Sequence, residues 1–233
     1  MTSVGYAPSV KYLVMKKEAG ATGFINNANY QTGSNREFVN PAMSKKKPSV
    51  LLHACCGPCS TACVEKLVQD YEVTLYYYNP NITDRDEYLL RKETLLQFVN
   101  AYNAEHKDEF TVNFIEGEYD RDRWFDMTTS LKDEPEGGAR CDVCFAMRLT
   151  ETARRAKELE FDYFTTTMSV SPHKNYDAIK TLGMMLEDEH GVTYLDIDFK
   201  KQNGFGRSVE MSKEYGLYRQ NFCGCCYARE AQK

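Results

Sequence analysis

From residue 49 onward the chain alternates between short apolar runs and longer amphipathic segments. Five runs have the length and the β-branched or aromatic content of strands, at 49–54, 71–79, 109–117, 161–168 and 192–199. Helical patterns lie between them, at 58–69, 84–106, 120–131, 141–160 and 175–190. Parallel strands joined by helices are covered on both faces. The prediction is therefore an α/β fold, with a Rossmann-like parallel sheet and helices on both faces.

The first 48 residues differ from the rest. They are rich in Asn, Gly, Ser, Thr and Lys and contain no sustained periodic run, which predicts a poorly ordered N-terminal extension. Residues 49–233 are predicted to form a single α/β domain. No run approaches the roughly 18 apolar residues of a membrane span, and no signal-peptide pattern begins the chain. A cytoplasmic location with no membrane partner is expected.

The nine cysteines lie in three groups. Their positions are 55, 56, 59 and 63; 141 and 144; and 223, 225 and 226. An odd number of thiols in a reducing compartment is not a stable disulfide framework, and thiols that only fill a core would be scattered. The grouping favours metal ligation or thiol redox chemistry.

The first two groups are candidate metal ligands. Cys141 and Cys144 form a CxxC at a predicted helix start, where unpaired N–H groups favour thiolates. Together with Cys55 and Cys56 they could supply four thiolates to zinc or to an iron–sulfur cluster. The side chains of adjacent Cys55 and Cys56 are expected to diverge, which suits a zinc knuckle poorly and favours the cluster over zinc. A site without metal is the third possibility.

The third group has a different character. Only one glycine separates Cys223 from Cys225, so a disulfide between them closes a small, strained ring that is easily reduced. This spacing favours a redox-active pair, with additional metal ligands or inert thiols as the alternative. Cys59 could be a ligand of a second metal, whereas Cys63, one helical turn later, is predicted to be a core residue.

Three of the polar loops follow strands. The segments 55–59, 169–175 and 200–208 come after the first, fourth and fifth predicted strands, so they can share one edge of the sheet. The net charge of −5 excludes a general nucleic-acid binder but permits recognition by one basic face. Seven residues are candidates for acid, substrate-binding or bracing roles: Arg148, Ser171, His173, Lys174, Tyr218, Arg219 and Gln220.

Five motifs in this order resemble one known family. "LLHACCGPCS", "CDVCFAMRL", "FTTTMSVSPHKN", "DFKKQNGFGRS" and "EYGLYRQNFCGCCYA" are similar to the motifs of QueH-type epoxyqueuosine reductases, and the resemblance covers roughly residues 49–228. The resemblance implies a domain similar to the adenine nucleotide α-hydrolase (HUP) fold. It also implies reduction of epoxyqueuosine to queuosine at the tRNA wobble position, the last step of queuosine synthesis, with an unidentified electron donor.

The resemblance also implies roles for the cysteines. Cys55, Cys56, Cys141 and Cys144 match the positions of [4Fe–4S] ligands, and Cys223 and Cys225 match a redox-active pair. A second metal, an iron, near Cys59 is a further expected cofactor. Some family members carry a carboxylate at the Cys59 position, so the four cluster ligands could be another subset of these five cysteines.

Two other classes of protein are alternatives to the reductase. An enzyme of the same sheet class that activates tRNA with ATP needs a glycine- and serine-rich phosphate loop after the first strand, where this chain has "CCGPCS". A zinc-stabilised, non-catalytic tRNA-binding or adaptor protein predicts copurifying zinc and a dispensable Cys223–Cys225 pair. Metal analysis separates these classes.

Overall fold

The computed structural model describes residues 47–230. The predicted poorly ordered extension, residues 1–48, therefore lies almost entirely outside the described residues. Within them, five strands form one parallel sheet in the order β3-β2-β1-β4-β5. The strands are β1 (Ser49–His53), β2 (Glu72–Tyr77), β3 (Asn113–Glu116), β4 (Tyr163–Thr166) and β5 (Thr193–Tyr194). The predicted α/β class is confirmed, and the strand order is compatible with a HUP-like fold.

Two of the three longest helices begin where the sequence supplies a side-chain cap. The helices are α1 (Gly57–Leu67), α2 (Arg85–Glu105), α3 (Arg121–Thr128), α4 (Ala139–Glu158), α5 (Tyr176–His190), α6 (Gly204–Glu214) and α7 (Cys226–Glu230). The side chain of Asp84 accepts hydrogen bonds from two N–H groups in the first turn of α2, and that of Asn175 accepts one in α5. Gly191 ends α5 in the left-handed conformation.

The sheet separates two apolar layers. Val50 and Leu52 of β1 point into a layer that includes residues of α1, α2 and α6, whereas Leu51 points into a layer with α3, α4 and α5. All three side chains are fully buried. Helices therefore cover both faces of the sheet, which explains why β1 is apolar at successive positions and does not alternate.

Two element predictions need correction. The fifth strand, predicted at 192–199, is only Thr193–Tyr194, because the chain leaves the sheet beyond Tyr194. Helix α6 has no counterpart among the predicted helices, since its first turn contains two glycines. In the part of the chain from residue 47 to residue 230, no helix combines the length and the apolar character needed to span a membrane.

Candidate thiol site

A triad of sulfur atoms lies at the carboxyl end of β1. Cys55 and Cys56 form the turn from β1 into α1, and Cys59 lies in the first turn of that helix. The three sulfur atoms are within 4.8 Å of one another, and those of Cys55 and Cys56 are 3.8 Å apart. The prediction that the adjacent side chains diverge is therefore wrong. The chain bends at Cys55, and Cys56 is the extended N-cap residue of α1.

The triad concentrates negative charge on one sulfur. Hydrogen bonds from the thiols of Cys56 and Cys59 lower the pKa of Cys55 well below that of an ordinary thiol. The hydrogen bond with Cys55 raises the pKa of Cys56 to about 11 and also raises that of Cys59. The hydroxyl of Thr167, just after β4, lies 3.5 Å from the Cys55 sulfur. The hydrogen bonds within the triad thus favour negative charge on Cys55 over Cys56 and Cys59.

A second group of sulfurs lines one pocket. Its lining includes Cys141 and Cys144 of α4 and Cys223 and Cys225 from the C-terminal segment. Burial raises the pKa of Cys141 and that of Cys144. Desolvation therefore opposes the thiolate form at both positions. Neither Cys141 nor Cys144 belongs to the triad of sulfurs that lie within 4.8 Å of one another.

The Cys223–Cys225 turn is fastened by α2. The guanidinium of Arg91 donates to the carbonyl oxygens of Phe222 and Cys223 at 3.2 and 3.1 Å. Gly224 has φ +102°, a conformation that side chains rarely tolerate, and its carbonyl accepts from the backbone N–H of Thr83. Burial raises the pKa of Cys225 to about 12, whereas Cys223 is half-buried. The turn is thus held rigidly, with Cys223 as its more accessible sulfur.

Arg148 lies between the two sulfur groups. It is 1% exposed, and its guanidinium donates to Asn79 Oδ1 at 2.9 Å. Burial alone would lower its pKa, but the charges of Cys144, Cys55 and Cys223, and a hydrogen bond toward Cys144, outweigh burial and raise it. Arg148 is therefore a buried cation that favours negative charge on sulfurs of both groups.

The loop after β4 contributes a second cation. Burial would lower the pKa of Lys174, but the charges of Cys55 and Cys223 outweigh it and raise the pKa. His173 is exposed, and its backbone N–H donates to Ser171 Oγ. Of the three candidates in this loop, Lys174 is the one whose charge acts on the thiols.

The segment before Cys223 reaches the triad. The side-chain amide of Gln220 donates to the Cys56 sulfur at 2.8 Å. Tyr218 is exposed and its hydroxyl donates to Glu87. The guanidinium of Arg219 lies over the ring of Phe205, 5.2 Å from its centroid. Of these residues, Gln220 contacts the thiol site directly.

The donor set fits a thiolate-bound metal centre. Tetrahedral coordination with metal–sulfur bonds of about 2.3 Å separates two sulfurs by about 3.8 Å, the distance between Cys55 and Cys56. The triad is therefore spaced for a single metal ion. A cluster distributes its thiolates over several irons and suits ligands drawn from both sulfur groups.

The comparisons with known proteins identify the family. A family model described as "Epoxyqueuosine reductase QueH" matches residues 50–231. This chain belongs to the QueH family. A QueH relative named epoxyqueuosine reductase, from Streptococcus pyogenes serotype M1, is 46% identical over 186 residues, which are 80% of this chain and 72% of the relative. A second QueH relative of the same name, from Staphylococcus epidermidis, is 43% identical over 80% of this chain and 79% of its own. The resemblance found in the motifs is confirmed, and QueH membership makes the chain an oxidoreductase.

Three residues around the QueH thiols escape prediction from the sequence. Arg91 lies in the middle of a helix, where it has the pattern of a solvated cation. Asn79 has the pattern of a residue that ends a strand. Trp124, whose buried indole nitrogen has no geometric hydrogen-bond partner among the described residues, lines the Cys144 pocket. A lone tryptophan in a polar helix is the signal that could have indicated it.

Proposed function

We propose that this chain reduces the epoxide of epoxyqueuosine at the tRNA wobble position to the alkene of queuosine, the last step of queuosine synthesis. The match over residues 50–231 and relatives carrying the reductase name support this assignment. The reaction removes one oxygen as water and consumes two electrons and two protons. Because tRNA is the substrate, the cytoplasm is the proposed location.

The electron pair is proposed to come from Cys223 and Cys225. Two thiols that become one disulfide release two electrons and two protons, which balances conversion of the epoxide to the alkene and water. The shared pocket with Cys141 and Cys144 is the observation that carries this assignment. Burial raises the pKa of Cys225 to about 12 and opposes its thiolate form, whereas Cys223 is the less buried of the two residues. An unidentified donor then reduces the disulfide again.

The metal centre is proposed to be a [4Fe–4S] cluster held by Cys55, Cys56, Cys141 and Cys144. Bound there, it would supply one-electron transfer, and a second iron near Cys59 would polarise the leaving oxygen. The thiol donors of the two sulfur groups support the cluster, and the 4.8 Å triad that includes Cys59 supports the single iron. The contribution of this chain's own residues is positive charge: Arg148 favours thiolates at Cys55 and Cys144, and Lys174 favours a thiolate at Cys55.

Metal analysis and turnover test the proposal together. Protein purified without oxygen is expected to contain about four sulfides per chain and at least as many irons, and to form queuosine in epoxyqueuosine-containing tRNA with dithionite. Cys144→Ser should lose iron, and Cys223→Ser should keep iron but lose turnover. Cys226→Ser is the matched control and should retain both. Stoichiometric zinc without turnover would reject the reductase and leave the zinc-stabilised adaptor.

A further inference from the structure

An exposed cation–aromatic pair lies beside the thiol site. Phe205 is 40% exposed although it is a large apolar side chain, and the exposed guanidinium of Arg219 covers its ring. Arg219 also lies 3.4 Å from Ser212 Oγ. A planar cation on an aromatic ring is a surface on which an unpaired nucleobase can stack.

Arg219 of this pair is next in sequence to a residue that contacts a sulfur of the thiol site. Arg219 precedes Gln220, whose amide donates to the Cys56 sulfur at 2.8 Å. Consecutive Cα atoms are about 3.8 Å apart, so the pair borders the site where the modified base must react. A nucleotide adjacent to that base would come to lie over Phe205.

The backbone around Phe205 is held in an uncommon conformation. Gln202 and Asn203 both have positive φ, at 57° and 61°, a region that non-glycine residues avoid. Gly204 follows, and a Cβ atom on it would lie 1.9 Å from the carbonyl oxygen of Phe199. The turn and the start of α6 are thus fixed in a way that presents Phe205 outward.

The cationic groups around the pair have no close carboxylate partner among the described residues. Within residues 47–230, no carboxylate lies within 4.0 Å of the cationic groups of Arg219, Lys200 or Lys201. By contrast Arg207, on the same helix as Phe205, pairs with Glu65 at 2.7 Å. Lys200 instead donates to the Lys174 carbonyl and lies over a tyrosine ring. Cations without a carboxylate partner beside an exposed ring suit a phosphate backbone better than an apolar protein surface.

We propose that Phe205 and Arg219 form an RNA-binding surface on which an unpaired base of the tRNA anticodon loop, next to the base being reduced, stacks. Arg219, Lys200 and Lys201 then contact the phosphates on either side. The proposal rests on the tRNA substrate of the proposed function. A protein electron donor docking at the same place is the competing occupant, and RNA binding measured without any donor distinguishes the two.

The test is the affinity for an anticodon stem–loop RNA carrying epoxyqueuosine, measured by fluorescence anisotropy over a salt series. Phe205→Leu keeps an apolar side chain but removes the ring, and is expected to weaken binding about 5- to 150-fold with an unchanged salt slope. Phe205→Trp should restore wild-type affinity. Arg219→Gln should weaken binding and reduce the magnitude of the salt slope by about 0.7 for each phosphate that the arginine neutralises.

Arg207→Gln is the control. It removes one positive charge from α6 at a position where Glu65 already pairs with that charge, and this variant should bind the RNA as tightly as wild type. Iron content and the circular dichroism spectrum confirm that each variant is folded. Wild-type affinity in both Phe205→Leu and Arg219→Gln would overturn the proposal, whether or not the protein reduces the base. If the variants bind RNA more weakly but the wild-type protein never forms queuosine, the RNA-binding surface is supported and only the reductase function is rejected.

Discussion

At the scale of single residues, Arg148 is a buried cation whose charge is balanced by sulfur. Its hydrogen-bond acceptor at 2.9 Å, Asn79 Oδ1, is neutral, and isolated buried charges are strongly destabilising. Among the described residues the groups that raise its pKa are Cys144, Cys55 and Cys223. Negative charge on these sulfurs would therefore compensate the buried guanidinium. Sequence patterns could mark the cysteines as chemically active, but not the guanidinium that compensates them.

His53, at the end of β1, is a neutral structural residue. The carbonyl oxygen of Tyr78 can only accept, so Nε2–H donates to it at 3.0 Å, and Nδ1 of the neutral ring accepts from the Thr166 hydroxyl at 3.0 Å. Burial, with a smaller effect of Arg148, lowers its pKa from 6.5 to about 3. The imidazole thus stays neutral at physiological pH.

This pKa predicts a pH-dependent stability. Above pH 6.5 His53 is neutral in both states; between 6.5 and about 3 the unfolded chain binds a proton that the folded protein does not. The free energy of unfolding therefore falls as the pH decreases, by about 1.4 kcal/mol per pH unit from this group. Urea titrations between pH 7 and 5 should show a shallower decline for His53→Gln than for wild type. His173→Gln, at an exposed site, is the control, and parallel declines for all three proteins would contradict the prediction.

At the scale of elements, the C-terminal cysteine turn depends on α2. Arg91 is 3% exposed and pairs with Glu87, whose side chain is 10% exposed, while its remaining donors hold the carbonyls of Phe222 and Cys223. A helix distant in sequence thereby fixes the turn that carries the proposed electron pair.

Arg91→Met is expected to lower the free energy of unfolding by about 3–5 kcal/mol, because it leaves the Glu87 carboxylate buried without its cation. Queuosine formation by the remaining folded protein should fall as well, since the turn loses two hydrogen bonds. Lys92→Met, at the neighbouring exposed ion pair with Glu116, should change stability by less than about 1 kcal/mol. Urea denaturation measures both variants, and equal stability of Arg91→Met and Lys92→Met would contradict this account.

The elements differ in how well the sequence predicts them. The pattern predicts helix α2 to within a residue at each end, because Asp84 supplies a local cap and the apolar spacing is sustained. Helix α6 escapes prediction, because Gly204 and Gly206 in its first turn indicate a loop by local criteria. A Cβ atom on Gly204 would lie 1.9 Å from the Phe199 carbonyl oxygen, and one on Gly206 would lie 2.3 Å from Asn203 Oδ1. The order of residue types does not show these contacts.

At the scale of the whole molecule, segments separated by more than 150 residues meet at one edge of the sheet: Gln220 of the C-terminal segment contacts Cys56, 164 residues earlier. The convergence of loops at the carboxyl ends of parallel strands is a general rule, so the sequence could predict that Cys55, Cys56 and the loop after β4 share an edge. The division of the sulfurs into a triad and a second pocket depends on side-chain directions and could not be predicted.

The central claim is that Cys223 and Cys225 supply the two electrons that open the epoxide. Prereduced protein, freed of reductant and mixed anaerobically with epoxyqueuosine-containing tRNA, measures this in a single turnover. About one queuosine per chain should form, with one Cys223–Cys225 disulfide, because one disulfide carries two electrons; peptide mass spectrometry detects it. Queuosine formed while both thiols remain reduced, or formed equally well by Cys223→Ser, would contradict the claim.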